Sequence, residues 1–477
     1  MSDVITLANQ IAAEKENIRL AIEGRNVSVP VDTPLSEYAG KIALIASEVS
    51  TGDVYYRDPE YDDSATSFTV PVKYSLMDSG ALAGKVNLQS INLNNIIYVG
   101  DSAFAGDVSL TQFIGNNVKV LGAGALSDCN LTSFSSSSIE TVGNGAFIGC
   151  PLVSLSLSNT IKLGTNVNSN NSALTTINLP EVVSINSGAF ANCSNLTNIS
   201  LPKVEYLGSY CFNSIGLDEW NNNNTTFNIN LPELKILGDS AFYNCKGLHS
   251  LSMPKVERIC AKALNYSGSD SGRITQLNVP MCTYIGENSY RYTSTSGSSY
   301  DAVRLNSLII ADGCEIHNGG AGEYIPQNVQ GKIGSLVCVD GDGDLWGQGT
   351  GNNPTSPSTI DFSGLTTITI GYGYNVMNGY MYISDGALDF QNLISISALS
   401  GNAFFLYGSP GYNNISKVWL NKNLVISGSG GFFGSIDQAI THIYTDATSH
   451  QASWPALSNA NWHFNCSHED FENGIYN

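Results

Sequence analysis

One unit recurs along most of this chain: Leu-x-x-Ile-x-Leu, three apolar residues at fixed offsets. It appears as Leu88/Ile91/Leu93, Leu110/Phe113, Leu131/Phe134, Leu152/Leu155/Leu157, Leu174/Ile177/Leu179 and Leu196/Ile199/Leu201. The first residues of these copies, at 88, 110, 131, 152, 174 and 196, step by 22, 21, 21, 22 and 22. Insertions stretch the step after that, at Ile229/Leu231, Leu248/Leu251/Met253, Ile274/Leu277/Val279 and Leu305/Leu308/Ile310. Weaker copies follow at Ile333/Leu336/Cys338, Leu365/Ile368/Ile370, Leu393/Ile396, Ile415/Val418/Leu420 and Ile440/Ile443. A unit of this size cannot bury its apolar edge alone and is stable only when stacked on its neighbours. The 477 residues therefore do not divide into the three or so globular domains that length alone suggests.

A second signature travels in phase with the first. Gly-x-x-Ala-Phe-x-x-Cys or a close variant occurs at 143–150, near Ala189–Cys193 and at 238–245, with Ala103-Phe104, Cys211-Phe212 and Ala263-Leu264 as relatives. In the clearest unit, 174–195, a short strand ends at Pro180, which has no N–H for a further ladder bond. A second short strand, 182–185, follows; Ser187-Gly188 turns the chain and Ala189-Phe190 fills the core. The pattern predicts a mainly β solenoid of about fifteen coils, roughly 70 Å long at about 4.8 Å per coil. The ten cysteines contain no C-x-x-C pair and read as reduced, small apolar core residues.

Composition agrees. Charged residues make up 13% of the chain against roughly 25% in an average soluble protein. Like charges repeated in a stacked ladder would repel, whereas Ser, Thr and Asn do not. The net charge of −20 excludes the basic footprint of a nucleic-acid binder. No run approaches the ~18 apolar residues that span a membrane, so no membrane insertion is expected. The opening MSDVITLANQIAAEKENIR has no basic segment followed by an apolar run, so no signal peptide is expected.

The unit L-x-x-I-x-L-P…V-x-x-I-x-x-x-A-F-x-x-C resembles the BspA-like leucine-rich repeat, with 174–201 and 231–254 the closest copies. The resemblance covers about 86–290 well and 300–465 in degraded form. It implies a curved leucine-rich-repeat solenoid used for adhesion or ligand binding, without catalysis. The ending ITHIYTDATSHQASWPALSNANWHF resembles the Trp-containing ends of that family. Physically it predicts a cap, 446–477, with Trp454, Trp462 and Phe464 covering the last coil.

Residues 1–48 differ in character. Val4, Leu7, Ile11, Ile18 and Ala21 fit a heptad with Glu14 as the misfit, and Thr33-Pro34 starts a second helix. This predicts a short α-helical module, either packed on itself or the first coil, or bundling three chains through Val4, Leu7, Ile11 and Ile18. The stretch AAEKENIRLAIEGRNVSVPVDTPLSEYAGKIALI resembles a module at the N-terminus of many bacteriophage tail and fibre proteins, which implies attachment to other virion proteins. Residues 49–85 read as linker and entry cap, 86–300 as regular solenoid and 301–445 as irregular coils with insertions.

Catalytic motifs are missing from the sequence: no Walker loop, G-x-S-x-G elbow or H-E-x-x-H is present. The string VDGDGDLWGQG places Asp340, Asp342 and Asp344 in alternation. Such carboxylates can converge on calcium, the one cofactor left open, although an EF-hand wants Gly sixth and Glu twelfth where Leu345 and Gly351 stand. The plainer reading of the three is a polar turn. Positions flanking the middle apolar residue of each unit point away from the core. They are small and polar in the regular coils, but Lys417 and Trp419, then His442 and Tyr444, occupy them late in the chain. Stacking would set Trp419 beside Tyr444, either as contacts for a host glycan or protein or as cover for the cap. Three functions remain open on these grounds. The first is a non-enzymatic, homo-oligomeric (trimeric) virion tail or head fibre that recognises the host surface. The second is a bacterial cell-surface adhesin of the same repeat family. The third is a polysaccharide-cutting tailspike, whose paired carboxylates spacing alone cannot place.

Overall fold

The structure, a computed structural model, describes residues 53–56, 62–216, 227–245, 247–265, 274, 276–290, 305, 307–318, 328–338, 362–370, 375–378, 387–398, 404–407, 417–428, 431–433, 442–454, 460–473 and 475. The helical module expected over 1–48, with Val4, Leu7, Ile11 and Ile18, lies outside these residues, as do Asp340, Asp342 and Asp344.

The described chain is a β-solenoid. One sixteen-stranded, all-parallel sheet runs from Asp53–Tyr55 to Val425–Gly428. Its strands in the regular coils are two residues long, as in Lys162–Leu163, Ser184–Ile185 and Tyr206–Leu207, paired in register. A second face carries the Leu-x-x-Ile-x-Leu strands, divided into shorter sheets such as Ser133–Ser136, Ser154–Leu157, Thr176–Asn178 and Asn198–Ser200. Here Leu155, Ile177 and Ile199 stand opposite one another. Alternation puts these apolar residues inside and their Ser, Thr and Asn neighbours outside.

The third side of each regular coil is the Ala-Phe turn, itself a hydrogen-bonded ladder. The amides of Phe190, Phe212 and Phe242 donate to the carbonyls of Cys211, Ala241 and Ala263, one coil further on, at 2.8–2.9 Å. The rings of Phe190, Phe212 and Phe242 stack at 5.6 and 5.5 Å with interplanar angles of 12° and 8°. The cysteines that follow have a specific task. Their thiols donate backwards, Cys129 to Phe104 O at 3.2 Å, Cys150 to Leu126 O at 2.9 Å and Cys245 to Phe212 O at 3.0 Å. Burial pushes the Cys193 thiol up to about 12, so it stays protonated and able to donate to Asn168 O. Among the described residues nine cysteines are free, and eight of them are buried.

The glycine that opens Gly-x-x-Ala-Phe is fixed by close approach. At Gly143 a Cβ would lie 2.5 Å from Ala123 N and Gly122 C, the backbone of the preceding coil. Gly122 and Gly164 meet their neighbours in the same way. Gly143→Ala must therefore pry two coils apart. The expected loss is about 2–3 kcal/mol, seen in denaturant melts; an unchanged midpoint would refute the contact.

Three features depart from the sequence reading. The sheet begins within the stretch read as linker and entry cap: Asp53–Tyr55 and Tyr74–Met77 pair with each other, and Ser67–Thr69 pairs with Ser90–Asn92. The late copies containing Leu336, Ile368 and Ile396 belong to the sixteen-stranded sheet, in line with Val182–Ile185 and not with the Leu-x-x-Ile-x-Leu face. Both edges space apolar residues three apart, so the pattern could not distinguish them. Lastly, the late coils gain a third strand, with Asn375–Asn378, Phe404–Tyr407 and Gly431–Phe433 forming a sheet of their own. Because the large sheet passes position 300 unbroken, regular and irregular coils form one solenoid.

Candidate recognition surface

The outer side of the Leu-x-x-Ile-x-Leu face offers an uncharged polar surface. Asn178, Asn198 and Ser200, Asn228 and Asn230, Ser250 and Ser252, and Gln276 and Asn278 are all exposed. Some are held by the stacking itself: Ser250 Oγ donates to Asn228 Oδ1 at 2.8 Å, and Asn178 Nδ2 to Ser156 Oγ at 3.3 Å. Asn side chains elsewhere clip coil to coil, Asn186 Nδ2 to Leu163 O at 2.9 Å and Asn195 Nδ2 to Ser172 O at 2.7 Å. Where charges enter the ladders, they alternate in sign. Lys203 meets Glu181, Lys235 meets Glu205 and Lys255 meets Glu233, each at 2.6 Å and one coil apart. Exposed pairs of this kind add little stability, but they avoid the repulsion of like charges.

The late residues singled out in the sequence end up in a different setting. Lys417–Leu420 and His442–Thr445 pair in register, and Trp419 does stand opposite Tyr444. Neither is exposed: Trp419 retains 4% and Tyr444 1% of its accessible surface. The C-terminal helix, His468–Asn473, covers them. Phe471 lies 5.9 Å from Trp419 and 5.5 Å from Tyr444, ring centre to ring centre, and Cys466 completes the buried cluster. Lys417 Nζ donates to the carbonyls of Phe471 and Glu472, and His468 Nε2 sits 2.8 Å from Asp389 Oδ2. The reading of Trp419 and Tyr444 as exposed ligand contacts is corrected here, and their burial fits the alternative, cover by the C-terminal segment. His442 Nδ1 lies 3.0 Å from His463 Nε2, and burial followed by the His442 charge pushes the His463 pKa down. In the C-terminal segment Trp454 Nε1 donates to Leu424 O at 3.0 Å, and Trp454, Trp462 and Phe464 stack in series.

One buried ionisable group went unnoticed in the sequence. Asp107 takes the position that Cys129 and Cys150 hold in the next coils, is fully buried, and accepts the Lys85 amide on Oδ1 at 2.6 Å. Its Oδ2 has no hydrogen-bond partner among the described residues. Desolvation dominates, and although the Lys85 amide and charge oppose it, the carboxyl is pushed up to about 7. The signal was available: it is the one acidic residue in the Cys column of the Ala-Phe turns. Among the described residues no three potential metal ligands cluster.

The sequence profile described as the BspA type leucine rich repeat region matches this chain over 61–152, 119–232 and 213–300. No curated protein matches it in sequence. A leucine-rich repeat protein from Bacteroides ovatus aligns at 14% identity over 83% of this chain and 91% of its own, with a TM-score of 0.38. The leucine rich repeat protein of T. pallidum aligns at 22% identity over 34% of this chain and 81% of its own, with a TM-score of 0.31. The pneumococcal vaccine antigen PcpA aligns at 14% identity over 82% of this chain and 86% of its own, with a TM-score of 0.30.

Proposed function

Because the chain belongs to the BspA-type leucine-rich repeat family, we propose that it is a non-enzymatic adhesin of a bacterial cell surface, binding a partner on the outside of its solenoid. The observation that carries this is the polar face formed by the exposed side chains of Asn178, Asn198, Ser200, Asn228, Asn230, Ser250, Ser252, Gln276 and Asn278, which short parallel ladders beneath them set in rows. Such a face supplies many hydrogen-bonding groups at fixed spacing and no charge to be desolvated, which suits recognition of a broad uncharged surface. The buried thiols suit an exposed location too, since burial makes cysteine inert to exchange and oxidation. Family membership favours this reading over the virion fibre, whose argument rests on residues 1–48. Antibody raised against the purified protein should label intact, unpermeabilised cells of the source bacterium, and external protease should remove the label. Finding the chain in purified phage particles, with intact cells unlabelled, would replace the adhesin with the fibre.

A further inference from the structure

Two adjacent coils break the repeat in the same place, and a cleft opens where they do. The third apolar residue of Leu-x-x-Ile-x-Leu is Leu93, Leu157 and Leu179 in neighbouring coils, but Gly115 and Ser136 in the coils that start at 110 and 131. In both, the middle residue is enlarged to Phe, Phe113 and Phe134, with ring centres 5.6 Å apart. Gly115 has no room for a side chain, since a Cβ there would lie 2.7 Å from Phe113 Cε1. The strand ladder stops at the same point: Gln112–Ile114 closes one sheet and Ser133–Ser136 opens the next, with no pairing between them. Between them is a cavity of about 310 Å³, at the small end of the range for ligand pockets.

The lining of this cavity has a definite chemistry. Phe113 and Phe134 form only its floor, since their rings pack on each other and on Phe104 and Phe147, while Asn116, Ser135 and Ser137 give it an exposed amide and hydroxyl wall. Ser136 and Ser138 are engaged internally, Ser136 Oγ accepting the amides of Ser138 and Ile139 at 3.2 Å and Ser138 Oγ donating to Gly115 O at 3.3 Å. The rim is thus rigid while the three outer polar side chains remain available. No lining residue is charged. The nearby Lys119 and Glu140 neutralise each other at 2.8 Å. A charged ligand would find no counter-ion here, and a purely apolar one would leave the amide and hydroxyls unpaired.

We propose that the cleft between the coils starting at Leu110 and Leu131 binds a neutral sugar residue. The ring sits in the polar mouth of the cleft, and its hydroxyls exchange hydrogen bonds with Asn116, Ser135 and Ser137. The site does not depend on where the protein is displayed, so purified protein tests it directly. Saturation-transfer NMR with neutral methyl glycosides of glucose, galactose, mannose and N-acetylglucosamine, each at about 10 mM, detects binding even with a Kd near 1 mM. At least one glycoside should give signal with the wild-type chain. Ser136→Leu restores the apolar residue of the neighbouring coils and fills the cavity, and should weaken that signal at least tenfold. Asn116→Ala/Ser135→Ala, confined to exposed positions, should do the same without touching the core. Silence from every glycoside, or undiminished binding by either folded variant, would overturn the proposal.

Discussion

Asp107→Asn should abolish a pH dependence of stability that the wild-type chain shows between about pH 4 and pH 7. The folded carboxyl titrates near 7, above its ordinary value of 3.8, so the folded state holds the proton more tightly than the unfolded one. The stabilisation is therefore complete below pH 3.8 and is lost as the pH rises through 7. About three pKa units at 1.36 kcal/mol each set an upper bound near 4 kcal/mol, and relaxation around the charge makes 2–4 kcal/mol the expected range. The groups facing this carboxyl are Lys85, whose Nζ pairs with Asp63, and Cys129 of the next coil. A long repeat array need not unfold in one step, so the sharper readout is local. Amides of 99–129 should be more protected from hydrogen exchange at pH 5 than at pH 8 after correction for chemical rates. Asp107→Asn should show no such difference. Equal slopes for both proteins would mean that water reaches Oδ2 and that the carboxyl is ionised throughout.

Phe212→Ala should cost about 3–5 kcal/mol, the range for a large aromatic removed from a core. Phe212 is fully buried between Phe190 and Phe242, and its amide anchors to Ala241 O in the turn ladder. In a solenoid the damage stays in nearest-neighbour terms. The variant should unfold in two steps, with the coils flanking 212 opening first and those before 190 keeping their wild-type exchange rates. Phe212→Leu is the matched control, because Leu126 and Leu264 already fill this column in other coils. It should lose less than about 1.5 kcal/mol. A single transition shifted by less than about 1 kcal/mol for the alanine variant would show that the neighbouring rings close the gap, which their ladder should forbid.

Much of this architecture is legible in residue order. The step of 21–22 between Leu88 and Leu196 defines the coil, and Leu155, Ile177 and Phe190 are inside as their positions require. Trp454, Trp462 and Phe464 close the end as their aromatic content implies. The late coils were harder to read. Leu-x-x-Ile on one edge and Val-x-x-Ile on the other share one spacing, and once insertions removed the metre, Leu336, Ile368 and Ile396 could be assigned to either. The cleft could have been found from the paired loss of Leu at Gly115 and Ser136, read as a vacancy.

The coil, its inward-facing residues and the uncharged side chains of its Leu-x-x-Ile-x-Leu face follow from residue order, because all three are set by contacts between equivalent positions one repeat apart. The fate of Lys417, Trp419, His442 and Tyr444 was decided only in three dimensions. Their exposure depends on a helix that begins at His468 and is tied to Asp389, 79 residues earlier. No local pattern around position 419 encodes that contact. Position 107 divides along the same line. Its departure from the cysteine column is written in the sequence, but the burial that turns an acidic residue into a titrating one is a property of the stack.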